Sequence, residues 1–241
     1  MIIGSYTGLH QYLRGLSNTG RFWHDVKHPA SGDLSGTDVV KLSDDTNTTW
    51  NFVKSGSDII SQASTFNGQP GYKMTCGGVL ESTNFDCSDC FSLSEGSFVM
   101  VAMRGGIYSG IDFIMADDWQ SFFYVNMDLG GAADSDSIKG FFNGVYKEIA
   151  LPGANIPFVV IARWKTGTGY TIETGEDSDG GTFASDMPSG FNDRDFQMWT
   201  GTSAGDYVYH SPPFMMNRYL TDQEVYNIKV SAKSLGCKFT G

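Results

Sequence analysis

From about Thr37 onward, apolar residues come in short runs, each closed by Gly, Asn, Asp or Ser. Runs of that length bounded by turn residues are strand text, because a helix needs a longer periodic stretch. "TDVVKL", "TTWNFV" and "SDIISQA" (residues 37–42, 48–53 and 57–63) follow one another in this way. "SFFYVNMDLGG" (residues 121–131) alternates. Phe123, Val125, Met127 and Leu129 fall on one face, and Phe122, Tyr124, Asn126 and Asp128 on the other. "GSFVMVAMRGG" (Gly96–Gly106) is apolar without alternation, as in a central strand covered on both sides. "IPFVVIARWKTGTGYTIETG" (Ile156–Gly175) reads as a hairpin turning at "KTGTG". With 30 glycines in 241 residues, the pattern predicts an all-β fold: two antiparallel sheets in a jelly-roll sandwich. A chain of this length forms one such unit.

"FNGQPGYKM" (Phe66–Met74) fits the same scheme. Asn-Gly marks a turn, since both residues tolerate positive φ. Pro70 then leads into the next strand, so the stretch is a fold requirement rather than a ligand loop.

One helix is written near the end. Thr221 and Glu224 form a T-x-x-E capping box, with Leu220 and Val225 as a staple around it. Val225, Ile228, Ala232 and Leu235 make one apolar stripe. Lys229 and Lys233 sit toward its negative end and Gly236 closes it. Such a helix packs on the outside of the sandwich. Residues 1–34 lack this regularity and hold three of the four histidines. They read as an N-terminal arm ahead of a sandwich spanning 35–241. The arm either packs on its own domain or docks to a neighbouring subunit.

The formal net charge is −11, with only 16 Lys and Arg, which argues against nucleic acid and anionic membranes as partners. The opening "MIIGSYTGLHQYLRGL" lacks a signal peptide's basic start and apolar core, so the expectation is synthesis in the cytoplasm without a signal peptide. Cys76, Cys87, Cys90 and Cys237 include one C-x-x-C pair, "CSDC". Four thiolates can hold zinc, but the second close pair is missing, and free or disulfide-bonded thiols are the plainer reading.

Three stretches together carry a resemblance: Thr49–Thr83, Val159–Gly175 and Phe214–Ile228. Trp50, Ser55, Gly56, Asn67, Gly68 and Pro70 come first, followed by Asn217, Arg218, Leu220, Thr221 and Glu224. In this order they resemble the concanavalin A-like lectin/glucanase superfamily, its laminin-G-like branch, in the form found in phage structural and bacterial surface proteins. The resemblance covers roughly residues 38–236. It implies a non-enzymatic, lectin-like module on a virion or cell surface: a capsid decoration, a fibre protein or an adhesion module. The arm would join it to other structural subunits, in a homo-oligomer or larger assembly, and the sandwich rim would face glycans. Two other readings stand beside it: a cement protein that binds no sugar, and a glycan-cleaving hydrolase.

Each candidate site has a plainer alternative. Glucanases of this superfamily carry E-x-D-x-x-E on one strand, and no such strand occurs here. The nearest text, "IETGED" (Ile172–Asp177), is broken by a glycine, and an enzyme would depend on acids from different strands, such as Glu173 or Asp112. "GEDSDGG" places Glu176, Asp177 and Asp179 in one loop, a candidate calcium (Ca) site or a solvated acidic turn. "ADDWQSFFY" sets Asp117, Asp118 and Trp119 between two strands, which suits a sugar platform or an inter-strand loop. His24 and His28 have helical metal-ligand spacing, but Pro29 opposes a helix there. His210 reads as a packed strand residue.

Overall fold

The computed structural model describes residues 8–16, 21–22, 24, 31–45, 47, 49–57, 59–105, 111–115, 123–128, 137–191, 195–200 and 207–239. Its strands are β1 (Arg21–Phe22), β2 (Leu34–Ser35), β3 (Asp38–Val39), β4 (Lys41–Ser43), β5 (Asn51–Gly56), β6 (Ile59–Phe66), β7 (Gln69–Thr75), β8 (Gly78–Thr83), β9 (Glu95–Arg104) and β10 (Ile111–Met115). They continue with β11 (Phe123–Asp128), β12 (Ser137–Phe142), β13 (Val145–Ala150), β14 (Phe158–Lys165), β15 (Gly169–Glu173), β16 (Ser178–Gly181), β17 (Phe196–Thr200), β18 (Tyr207–His210) and β19 (Phe214–Met216). Among the described residues, three α-helices accompany them: α1 (Leu9–Gly15), α2 (Cys87–Cys90) and α3 (Asp222–Ala232).

The strands form two antiparallel sheets. One runs β16-β15-β14-β9-β18-β7-β6-β3-β2, with β19 also on β9 and β1 on β19. The other runs β13-β12-β11-β10-β17-β8-β5-β4. The expected all-β sandwich with a C-terminal helix is therefore present.

The apolar run at Gly96 becomes β9, and its lack of alternation has a structural cause. Phe98, Met100 and Ala102 face the second sheet, while Val99 and Val101 face the helices on the other side. β14 divides the same way: Phe158, Val160, Ala162 and Trp164 face inward, and Val159 and Ile161 outward. The core between the sheets is aromatic. Phe91 meets Trp164 edge-on at 4.8 Å, and Phe85 stacks on Phe196 at 5.5 Å.

Asn67 (φ 48°) and Gly68 (φ 80°) make the tight turn between β6 and β7. The ladder is irregular between Gln62 and Phe66, opposite Pro70, which has no N–H to donate. "FNGQPGYKM" is thus turn and strand. "TDVVKL" breaks into β3 and β4, which belong to different sheets.

The described part of residues 1–34 packs on the chain's own body. Leu9 and Leu13 of α1, with Leu16, are buried together with Val225, Ile228 and Ala232 of α3. Phe22 of β1 is fully buried between Phe52 and Phe85, at 5.0 and 5.2 Å. α3 carries both halves of the expected capping box, and Gly236 (φ 86°) ends the short 3-10 turn that follows it. Among the described residues, no helix is long and apolar enough to cross a membrane.

Candidate functional site

Charged groups on β14 and β15 hold α3 against the sheet. Arg163 lies on β14 beneath the helix start. Its guanidinium reaches Glu173 Oε1 at 3.1 Å and Asp222 Oδ1 at 2.8 Å, and donates to Leu220 O at 2.6 Å. Lys229 Nζ meets the other oxygen of Glu173 at 2.8 Å. Glu173 is 7% exposed and bound by two cations, a structural post rather than an acid open to substrate. The side chain of Asp112, on β10, lies outside the described residues.

The segment that carried the sequence resemblance is a clamp. Arg218 holds Glu224 through two hydrogen bonds of 2.8 and 2.6 Å. Glu224 also accepts from Thr221 N at 2.9 Å, and Ser97 Oγ on β9 joins Arg218 O to Leu220 N. The Arg218 hydrogen bonds lower the Glu224 carboxyl to about 2.

A second polar cluster is sealed between the sheets. His24 Nδ1 donates to Ser43 O at 2.7 Å, and its Nε2 shares a hydrogen bond of 2.7 Å with the Tyr72 hydroxyl. Buried Asp33 accepts from Ser43 Oγ at 2.6 Å. His210 stands on the other side of Tyr72, ring centres 5.9 Å apart. It is fully buried, and its Nδ1 donates to Ser211 O at 2.9 Å. Its Nε2 has no hydrogen-bond partner among the described residues. Burial lowers this imidazole to about 4. As expected, His210 is a packed strand residue. His28 lies outside the described residues.

None of the four cysteines forms a disulfide. Cys87 and Cys90 sit in the one-turn α2, buried in the main core, and Cys237 lies under α3. Burial, followed by the neighbouring Cys87, pushes the Cys90 thiol well up, and burial raises Cys237 to about 12.

The acidic stretch, expected as one loop, is a turn that runs into β16 at Ser178, and it serves the sandwich edge. Asp177 Oδ2 accepts from Ala150 N at 3.0 Å, capping an amide of edge strand β13. Asp179 Oδ1 pairs with Lys147 of the same strand at 3.2 Å. Glu176 is exposed. No group of three or more His, Cys, Asp or Glu side chains is placed to hold a metal ion among the described residues. Asp117, Asp118 and Trp119, the candidate sugar contacts, lie outside the described residues.

A cleft of about 90 Å³ opens beside that loop. Three segments build it: residues 151–157 between β13 and β14, the turn after β15, and the tail beyond Gly236. Pro152, Ile156, Pro157 and Phe158 supply its apolar lining, and Thr174, Glu176 and Lys238 its polar lining. Gly175 lies so close to the tail that an added Cβ would stand 1.8 Å from Lys238 O. Only glycine lets the turn and the tail meet, and that contact sets Lys238 at the cleft. Glu176 and Lys238 are both exposed, and neither makes an ion pair or side-chain hydrogen bond among the described residues. Sequence reading missed this cleft, because its walls come from distant segments. The one local signal was "LPGANIP" (residues 151–157), a Pro- and Gly-punctuated loop.

No family model matches the sequence, and no curated protein is similar to it. Solved structures are similar in fold. The receptor-binding domain of botulinum neurotoxin mosaic serotype C/D superposes with a TM-score of 0.56 at 9% identity, over 78% of this chain and 48% of that one. The botulinum neurotoxin serotype D ligand-binding domain, solved with N-acetylneuraminic acid, gives 0.54 at 9% identity, over 80% and 50%. The type G receptor-binding domain gives 0.55 at 11% identity, over 81% and 51%. The chain spans about half the length of these solved chains. At such identities the likeness is one of fold: an antiparallel β-sandwich.

Proposed function

We propose that the chain is a non-enzymatic, lectin-like module that binds a glycan at a virion or cell surface. The observation that carries this reading is the sandwich itself, whose solved neighbours include receptor-binding domains and one captured with a sugar acid. The concanavalin A-like assignment and the virion setting rest on the sequence resemblance. The state of Glu173 supports the non-enzymatic part. A hydrolase needs two carboxylates flanking the scissile bond. Glu173 is instead held by Arg163 and Lys229 under the helix. Asp177 and Asp179, next along the chain, are spent on the edge strand.

A broad glycan panel tests the proposal, read with and without a calcium chelator. Saturable binding to a defined glycan, without turnover of that glycan, is the expected result. The chelator arm addresses calcium at Glu176, Asp177 and Asp179. Absence of binding in both arms removes the lectin reading, and release of cleaved sugar removes the non-enzymatic one.

A further inference from the structure

Resting on that reading, we propose that the cleft beside the β15–β16 turn is a subsite for the acetamido group of a neutral N-acetylhexosamine. Three features of the cleft match three features of that group. Its apolar side, formed by Pro152, Ile156, Pro157 and Phe158, suits a methyl. The Glu176 carboxylate can accept from an amide N–H, and the Lys238 ammonium can donate to an amide carbonyl. Both side chains lack partners among the described residues, so neither has an internal bond to break before binding.

Size points the same way. At about 90 Å³ the cleft is smaller than a cavity of about 150 Å³ that takes one benzene ring. That suits one substituent of a sugar rather than its ring. The ring would lie outside, on the sandwich rim. Charge selects among N-acetylated sugars. Asp177 follows Glu176 in the turn between β15 and β16, and the whole chain carries −11. A sugar carboxylate would meet that field unfavourably, whereas a neutral acetamido group would not. The site is pre-set by the Gly175–Lys238 contact, which anchors the tail against the turn.

The test uses the intact chain, titrated with N-acetylglucosamine, glucose and N-acetylneuraminic acid, with saturation-transfer NMR on the bound sugar. N-acetylglucosamine should bind with its acetamido methyl the most saturated group. Glucose should bind about tenfold more weakly, as expected for the loss of charge-assisted hydrogen bonds and a buried methyl. N-acetylneuraminic acid should also bind more weakly than N-acetylglucosamine. Glu176→Ala and Lys238→Met, both at exposed positions that tolerate change, should each weaken N-acetylglucosamine about five- to tenfold. Equal affinity for glucose overturns the subsite, and so do wild-type affinities in both variants, while either result leaves glycan binding intact. If no glycan on the broad panel binds the wild type, the lectin reading falls and the subsite falls with it.

Discussion

Removing His210 should flatten the acid side of the stability profile. The imidazole is fully buried on β18, its Nδ1 proton is given to Ser211 O, and its Nε2 faces no donor or acceptor among the described residues. Burial lowers it from an ordinary 6.5 to about 4. Between those values the unfolded chain binds a proton that the folded chain refuses. Stability is therefore fully present above 6.5 and falls as pH drops toward about 4. At about 1.4 kcal/mol per pH unit, the whole window makes about 3.5 kcal/mol, and the step from 6.5 to 5 about 2 kcal/mol. Urea unfolding followed by tryptophan fluorescence, at pH 7.5 and 5.0, measures the difference. His210→Leu should be less stable at pH 7.5 by about 1 kcal/mol, because the Ser211 carbonyl loses its donor. Its drop between the two pH values should be smaller than the wild type's by about 2 kcal/mol. Stopping at pH 5.0 keeps Glu224, whose window lies between 4.5 and about 2, out of the comparison. Equal drops in the two proteins would refute the reasoning.

Four further outcomes follow from the packing. Glu224→Gln should cost about 1–2 kcal/mol in thermal unfolding at pH 7, allowing for partial exposure, because it weakens the Arg218 fork and the helix cap together. Arg163→Met leaves Glu173 buried with one cation fewer and should cost about 3 kcal/mol, part of which returns in Arg163→Met/Glu173→Met. Gly68→Val forces a branched side chain into the left-handed turn and should cost about 1–2 kcal/mol by urea titration. Gly175→Ala should displace the tail, visible as changed amide shifts at Lys238 and Phe239, since the new Cβ would meet Lys238 O at 1.8 Å.

Local patterns made much of the fold legible. β9 was readable because a strand covered on both faces must be apolar throughout, and α3 because its cap, staple and stripe agree. The Asn67-Gly68 turn was readable because few residues accept positive φ. Features set by distant contacts were not. The break within "TDVVKL" arises because the chain changes sheets at Val40, which no local period records. Phe22 and α1 bury themselves against α3, Phe52 and Phe85, partners far along the sequence. Glu173 looked like a candidate acid until Arg163 and Lys229 closed on it. "GEDSDGG" reads equally well as a metal loop or an edge cap, because composition does not say that Ala150 N and Lys147 lie opposite. Asp117, Asp118 and Trp119 remain a proposal from sequence.

Titration of the intact chain with the strongest glycan from a broad panel, competed by the free sugar, tests the central claim most directly. The account predicts a saturable isotherm with one site, full competition and an unchanged glycan at the end. A flat response across the panel, or a glycan recovered in pieces, would contradict it.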